Sequence, residues 1–470
     1  MTAETATEMA GTRTTGGRPR KGRRWIERWD PEDEVFWRES GERIARRNLV
    51  FSVLTEHIGF SVWSLWSVLV LFMGPGYGID PAGKFFLVAV PTLVGAVLRV
   101  PYTFAVARFG GRNWTVFSAL LLVVPAIAAA VVMRPGTPYG VFLAVAALAG
   151  VGGGNFASSM TNINSFYPLR KKGWALGLNA GGGNLGVPVV QLLGLLVIGT
   201  VGAAQPRLVL AVYLPLIVLA AVLAALRMDN LATVTNDTGA VVEAARDRHT
   251  WVMALLYVGT FGSFIGYSFA FGLVLQTQFA RTPLQAASLT FVGPLLGSLA
   301  RPVGGWLADR YGGARITLGN FAAMGLATGV VLVASAVRSL PLFLVGFTAL
   351  FLLTGLGNGA TYKMIPGIFL ARALRRGLTG EAAAASGRRL SGAAMGLIGA
   401  VGALGGLGIN LAFREAFAAT GSGVPACAAF LAYYAVCGVV TWAVYLRRPE
   451  RGPAAADADG AARRPAYADV

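Results

Sequence analysis

The amino-acid sequence predicts an all-α integral membrane protein with twelve transmembrane helices arranged as two six-helix halves. Three observations support this prediction. The 470 residues are 55% hydrophobic and only 13% charged, with a mean hydropathy of +0.60, so the chain carries less charge than a soluble domain. Apolar segments of roughly 20 residues, long enough to cross a bilayer, recur along the chain. A long motif from the first half also returns in the second half.

The repeated motif carries an arginine inside an apolar run. The segments "TLVGAVLRVPYTFAVARFGG" and "PLLGSLARPVGGWLADRYGG" align at one constant offset. Arg99 then matches Arg301, and Gly110 matches Gly312. Internal repeats of this kind are typical of transporters whose central site lies between the two halves.

The apolar segments define the twelve predicted helices, because a helix satisfies its own backbone hydrogen bonds without water. The predicted spans are 49–73, 85–107, 113–133, 139–166, 174–199, 207–227, 250–278, 284–308, 314–337, 340–370, 391–412 and 427–446.

The net charge of +18 is explained by membrane topology rather than by nucleic-acid binding. With a cytoplasmic N-terminus, most Lys and Arg residues fall in cytoplasmic segments, as the positive-inside rule requires. Both termini are therefore predicted to be cytoplasmic, in a multi-pass protein of the cytoplasmic (inner) membrane, near anionic lipid. A nucleic-acid partner is not expected.

The polar segments set the predicted domain organisation. The predicted units are a cytoplasmic N-terminal tail (1–48), a first half (49–227), a central cytoplasmic loop (228–249), a second half (250–446) and a disordered cytoplasmic tail (447–470). The first 24 residues are also predicted to be disordered, and no cleavable signal peptide is visible. Residues 25–48 mix tryptophans with charges, which is typical either of a segment lying on the membrane surface or of a solvated linker.

Arg99 and Arg301 are the first candidate functional residues, because a charge inside a membrane almost always faces a cavity or a partner. One interpretation is an ion pair within each half. The other is that two guanidinium groups meet across a central cavity and hold an anion by paired hydrogen bonds.

Glycines crowd helices five and eleven. They are Gly177, Gly181, Gly182, Gly183, Gly399, Gly402, Gly405 and Gly406. Small residues allow close helix packing, and they also allow the backbone to approach a small ligand. Asn184 lies in the same stretch and either donates to an anion or ties two helices together.

Several motifs together resemble one family. They include "GNFASSMTNI", "GWALGLNAGGGNLG", "LLYVGTFGSFIGYS", "GPLLGSLAR" and "GLIGAVGALGGLG". Over about residues 25–446 the chain resembles the nitrate/nitrite porter (NarK-type) family of the major facilitator superfamily. The resemblance implies transport of nitrate and nitrite by alternating access, as in nitrate assimilation.

The resemblance also implies an anion site of six residues. They are Arg99, Arg301, Asn184, Tyr257, Phe156 and Phe261. The arginines would clamp the anion, the amide and the phenol would hydrogen-bond it, and the two phenyl rings would sandwich it. Plain core packing is the alternative for the aromatic residues. No cofactor or metal is implied, and a monomer is expected.

Glu56 and His57 in helix one, and Lys363 in helix ten, are candidates for gating or proton coupling. Glu56 and Lys363 could form a static ion pair, or a pair that opens and closes with a gate. Alternatively, Glu56 or His57 could carry a proton. Proton-linked nitrate import and nitrate/nitrite exchange both remain open at this point.

Other classes of function are less well supported. An enzyme is not expected, because the chain has two histidines and no apparent metal-ligand cluster or nucleophile–base arrangement. An anion channel, or a carrier of another small anion such as chloride or a carboxylate, remains an alternative.

Overall fold

The computed structural model describes residues 24–447, and within them twelve helices are long and apolar enough to cross a membrane. The tails predicted to be disordered, before residue 24 and after residue 447, lie outside the described residues. The twelve helices are α1 (Glu34–Phe72), α2 (Pro81–Phe109), α3 (Gly111–Val132), α4 (Tyr139–Phe166), α5 (Arg170–Val201), α6 (Arg207–Arg227), α7 (Arg248–Phe279), α8 (Pro283–Tyr311), α9 (Gly313–Ala336), α10 (Leu340–Arg375), α11 (Gly380–Thr420) and α12 (Val424–Leu446).

Several helices are longer than predicted, and two of them extend beyond the prediction by ten residues or more. Helix α1 begins at Glu34 rather than at residue 49, because the Asp33 side chain accepts hydrogen bonds from the Val35 and Phe36 amides and caps the helix there. Helix α11 spans Gly380–Thr420 instead of 391–412. Both extensions are polar turns beyond the apolar core, which hydropathy does not detect.

The segment before α1 is tied to the loop between the halves. Strand β1 (Trp25–Ile26) pairs in parallel with β2 (Asn230–Leu231). Asp229 accepts hydrogen bonds from Arg47 at 2.5 Å and from Asn48 at 3.0 Å. We call this end of the bundle the terminal face, and the end with the loops 73–80 and 421–423 the far face.

The tryptophans of this segment pack against protein. Trp29 and Trp37 are buried, and their rings contact Phe166 and Tyr167 at the end of α4. Neither sequence-based alternative, a surface-lying segment or a solvated linker, accounts for these contacts. Hydropathy could not indicate them, because the partners lie far along the chain.

The central loop contains a short helix, Thr238–Ala245, that docks on the second half. Arg389 donates to Asp237 and, together with the Ala240 amide, lowers the pKa of that carboxyl. Arg376 and then Arg389 lower the pKa of Glu243. These exposed ion pairs are screened by solvent and orient the loop helix more than they stabilise it.

The repeat in the sequence is also a repeat in the packing. Gly110 and Gly312 end α2 and α8 with φ values of +90° and +87°, which favour glycine. A Cβ atom on Gly95 would meet Trp63 of α1, and a Cβ atom on Gly297 would meet Phe264 of α7. The helices α1 and α7 thus occupy equivalent places in the two halves.

Among the interrupted spanning helices, α5 and α7 are irregular close to candidate site residues. The first run of α5 ends at Asn184, and Pro188 in the next turn cannot donate to the Asn184 carbonyl. Helix α7 contains a wide π-turn over Val258–Gly262, a feature frequent at functional sites. Both irregularities fall beside candidate site residues.

The two halves contact each other toward the far face. The Phe85 ring of α2 stacks on Phe413 and Phe417 of α11, with ring centroids 5.6 and 5.2 Å apart. Gln191 of α5 donates to the Ser268 carbonyl of α7 at 2.8 Å. These contacts close the far side of the space between the halves.

Candidate functional site

Arg99 lies in the middle of α2 and reaches across to the other half. Its side chain is 1% exposed. Nη1 donates to the Gly399 carbonyl of α11 at 2.7 Å, and Nε donates to the Gly153 carbonyl of α4 at 3.3 Å. Nη2 is buried without a partner. One N–H edge of this guanidinium therefore remains free inside the protein.

Two phenyl rings, one from each half, border the Arg99 guanidinium. Its Cζ atom lies 4.6 Å from the ring centroid of Phe156 and 4.9 Å from that of Phe261, close enough for cation–π attraction. The two rings stack at 6.1 Å with an interplanar angle of 25°. A flat anion between parallel rings needs about 7 Å, twice a carbon–carbon contact distance. The ring centroids lie closer together than this, so a sandwich would require the rings to separate.

Arg301 is the counterpart of Arg99 and is 6% exposed. Its Nη1 atom is buried without a partner, and its Cζ atom lies 5.9 Å from the Tyr362 ring centroid. The Tyr257 hydroxyl lies near this guanidinium, but no hydrogen bond of good geometry joins the two groups. The π-turn of α7 stacks Tyr257 on Phe261 at 5.2 Å.

Asn184 is buried on α5, and neither its Nδ2 nor its Oδ1 atom has a partner. Buried polar groups are almost always hydrogen-bonded. The free donors on Arg99, Arg301, Tyr257 and Asn184 are therefore the kind of groups that an anion satisfies.

Glu56 of α1 is a buried carboxylate, 1% exposed, close to the same arginines. Its Oε2 atom accepts from Asn179 Nδ2 at 2.6 Å, and that amide also lies 2.6 Å from Ser159 Oγ. Its Oε1 atom has no partner. His57 instead faces the Gly182 carbonyl of α5 at 3.3 Å.

Lys363 does not pair with Glu56, so the static ion pair, one of the three alternatives considered for these residues, is wrong. Its Nζ atom lies 3.0 Å from Asp309 Oδ2, and both side chains are about half exposed. Asp309 lies near the end of α8 at the terminal face, and Lys363 extends toward that face rather than into the core. Glu56 instead accepts a hydrogen bond from Asn179.

The glycines divide into two groups. An added Cβ would clash at Gly182, Gly183, Gly402, Gly405 and Gly406, where it would lie within 3.0 Å of a neighbouring atom. At Gly177 and Gly181 it would meet nothing within 4 Å, and at Gly399 it would make ordinary contacts with Arg99 and Phe156. Close packing thus explains five of the eight, and Gly399 also supplies a carbonyl to the site.

Sequence reasoning missed two residues of this site. Tyr362 packs on Tyr257 at 5.5 Å and lies under Arg301, and Trp63 lies 5.5 Å from the Arg99 Cζ atom. Tyr362 ends the glycine-rich stretch of α10, as Phe156 ends that of α4. Comparing the two repeats at that point would have found it. No metal-ligand cluster occurs among the described residues.

The bundle and its site define a multi-pass membrane protein of two related halves with a buried arginine from each half at the centre. The sequence model of the Major Facilitator Superfamily matches residues 52–409. The chain belongs to that superfamily and, within it, to the nitrate/nitrite porter family.

Three relatives carry this family assignment. The nitrate/nitrite transporter NarU of Salmonella typhimurium is 41% identical, covering 89% of this chain and 96% of the relative. NarU of Escherichia coli is 40% identical over the same shares. The probable nitrate/nitrite antiporter NarK2 of Thermus thermophilus is 35% identical, covering 73% and 83%.

A solved structure supports the fold. A D-xylose-proton symporter matches 86% of this chain and 96% of its own, with a TM-score of 0.58 and 14% sequence identity. At that identity the similarity concerns the fold alone.

Proposed function

We propose that this protein carries nitrate and nitrite across the cytoplasmic membrane by alternating access. The observation that supports the proposal most directly is the pair of buried guanidinium groups, Arg99 and Arg301, each with an N–H group that lacks a partner. Relatives at 35–41% identity are named for nitrate and nitrite. An Arg fork matches a planar oxyanion by parallel hydrogen bonds.

The same pair of charges supplies a reason for the conformational switch. Without an anion, two guanidinium groups repel each other in a medium of low dielectric constant. A bound anion attracts both groups and favours the state in which the halves approach. Substrate binding thereby selects the closed state in which the site can change sides.

The proposed function also includes an orientation in the membrane, an oligomeric state and a class of protein. The termini are cytoplasmic, the monomer is the functional unit, and the protein is a carrier rather than an enzyme. The three relatives described above are named as transporters or as an antiporter, which supports this class. An anion channel and a carrier of another small anion are the alternatives.

The clamp is tested by replacing each arginine with lysine in protein purified into liposomes. Lysine keeps the charge but loses the planar fork. We expect Arg99→Lys and Arg301→Lys to lower nitrate entry into nitrite-loaded vesicles by about 100-fold, as for loss of a charged hydrogen-bonding pair. The control is Arg414→Lys, at a half-exposed residue of α11 paired with Glu415. Normal transport by either site variant would contradict the clamp.

The alternatives are separated in the same vesicles. A carrier accelerates nitrate entry when nitrite is trapped inside, whereas a channel does not. Excess chloride or acetate outside would slow nitrate entry if the site were built for those anions. Entry that ignores internal nitrite would overturn the carrier.

A further inference from the structure

Glu56 is a buried carboxylate that the anion site itself does not need. A carboxylate competes with an anion for the same positive field and would weaken anion binding if it were always charged. Glu56 nevertheless lies close enough to Arg99 and Arg301 to feel their charges. Among the described residues it forms no direct ion pair, and Lys363 pairs with Asp309. Its position suits a carboxylate that is ionised in one step of the transport cycle and protonated in another.

The groups around Glu56 come from its own helix α1 and from five other helices. Asn179 of α5 donates to Oε2, and Ser159 of α4 joins the same network, with Ser52 of α1 2.8 Å from Ser159. The charges of Arg99 on α2 and Arg301 on α8 act on the carboxylate. Tyr362 of α10 is the remaining titratable group within electrostatic range. Backbone packs tightly on the other side, because a Cβ atom on Gly183 would lie 2.3 Å from Oε1.

We propose that Glu56 binds the proton that travels with each nitrate ion, an inference that rests on the proposed function. When the site is empty, ionised Glu56 offsets one of the two guanidinium charges, which leaves a net charge of +1. When nitrate is bound, the proton on Glu56 removes the carboxylate charge and nitrate replaces it, which again leaves +1. The moving site therefore carries the same charge loaded and empty.

This balance gives the coupling its physical cause. Nitrate with ionised Glu56 places two anions in one field, and an empty site with protonated Glu56 leaves two guanidinium charges unbalanced in low dielectric. Both mixed states are disfavoured, so proton and nitrate enter and leave together. One proton joins the Glu56 carboxylate on the entry side and leaves it on the exit side, and no other bond changes.

The network also explains why an exchanger and a proton symporter can share this site. Nitrite entering as nitrate leaves replaces one anion by another, so exchange requires no change at Glu56. The return of the empty carrier requires Glu56 to be ionised. Glu56→Gln resembles the protonated residue permanently, and it should permit exchange while it prevents empty return.

The transport experiment compares two driving conditions in the same liposomes. One set contains trapped nitrite and no pH gradient; the other contains no internal substrate and is acidic outside. The variants are Glu56→Gln and His57→Gln, which changes the other candidate proton site, and the control is Glu415→Gln at an exposed carboxylate of α11. We expect the ratio of gradient-driven uptake to exchange to fall about tenfold or more in Glu56→Gln alone.

The outcomes separate this inference from the function on which it rests. If wild type exchanges nitrate for nitrite but shows no gradient-driven uptake, the proton role of Glu56 is wrong and the carrier remains. If wild type does neither, the proposed function itself fails. If the ratio fell for His57→Gln and stayed unchanged for Glu56→Gln, His57 rather than Glu56 would be the residue that binds the proton.

A binding measurement does not depend on turnover. Calorimetric titration of nitrate in two buffers of different ionisation enthalpy counts the protons taken up per anion. We expect about one for wild type at a pH where Glu56 is ionised, and none for Glu56→Gln. Wild-type affinity should rise as the pH falls, because protonation removes the competing carboxylate, and the variant should lose this dependence. Equal proton counts in both proteins would overturn the proposal, provided that both elute as folded monodisperse protein.

Discussion

Tyr257 illustrates at the residue scale why an unpaired buried polar atom is a candidate contact for a ligand. Its ring is fully buried and stacked on Phe261, as an ordinary core residue would be. Its hydroxyl, however, has no partner in the interior. Leaving a buried hydroxyl unsatisfied costs about 1–3 kcal/mol, and a bound anion would remove this cost.

The first prediction at this scale is that Tyr257→Phe weakens nitrate binding by about fivefold to tenfold, the value of one hydrogen bond of about 1 kcal/mol or slightly more. The fold should be unaffected, because the ring and its stacking remain. Affinity measured by calorimetry and stability measured by thermal melting check both statements.

Tyr311→Phe is the control for Tyr257→Phe, because that side chain is 50% exposed at the end of α8. It should bind nitrate like wild type. If Tyr257→Phe bound equally well, the hydroxyl would not contact the anion, and the phenol would be a packing residue.

At the scale of elements, glycine matters where two helices cross rather than wherever it recurs. Helices α7 and α11 touch at Gly262 and Gly405, where an added Cβ on Gly405 would lie 2.7 Å from the Gly262 Cα atom. This crossing holds the π-turn of α7 against α11. On the same helices, an added Cβ on Gly402 would lie 2.4 Å from the Tyr257 ring, and the Phe261 ring centroid lies 4.9 Å from the Arg99 Cζ atom.

We predict that Gly405→Ala in α11 and Gly181→Ala in α5 have opposite effects, although both helices are rich in glycine. Gly405→Ala forces backbone against backbone and should cost about 1–3 kcal/mol, as overpacking does. Gly181→Ala enters open space and should leave stability unchanged or raise it by up to about 1 kcal/mol, because alanine favours helix.

Thermal melting in detergent, together with nitrate affinity, tests this pair of glycine variants. The loss of affinity should accompany Gly405→Ala only. Equal destabilisation by the two substitutions would mean that helix flexibility, and not the close crossing, explains the glycines.

At the scale of the whole molecule, alternating access requires that the closure at the far face be reversible. Gln191 bridges the halves through Ser268, and Phe85 stacks across them on Phe413 and Phe417. Each of these contacts is individually weak. A carrier needs this property, since a far face sealed by many kcal/mol would never open.

We predict that Gln191→Leu shifts the protein toward the state open at the far face. Losing one buried hydrogen bond costs about 1 kcal/mol, which is about fivefold in the population ratio. Electron–electron distances between spin labels at Arg134 and Glu415 measure the opening, in a background where the buried Cys427 and Cys437 are replaced by alanine.

Gln278→Leu is a matched control for Gln191→Leu, because Gln278 bonds to the Gly423 amide within the second half. It should leave the label distances unchanged. A shift in both variants, or in neither, would show that the bridge through Ser268 does not hold the far face closed.

The sequence by itself determined the membrane class, the number of helices and the duplicated arginines. Each of these depends on a property that acts locally. Apolar length decides whether a segment spans, and a charge inside such a segment is costly enough to be conspicuous. The family resemblance then named the candidate anion contacts, including residues such as Phe156 and Phe261 that composition alone would assign to the core.

Only the tertiary structure decided which side chains meet. Phe156 and Phe261 come from different halves and stack on each other. Lys363 pairs with Asp309, and Glu56 accepts a hydrogen bond from Asn179. The N-terminal tryptophans also pack on α4. These contacts join residues far apart in the chain, and the direction of a side chain depends on helix rotation and crossing, which hydropathy does not contain. The physical reason is that burial energy fixes where a segment lies, whereas specific polar partners are selected by geometry between segments.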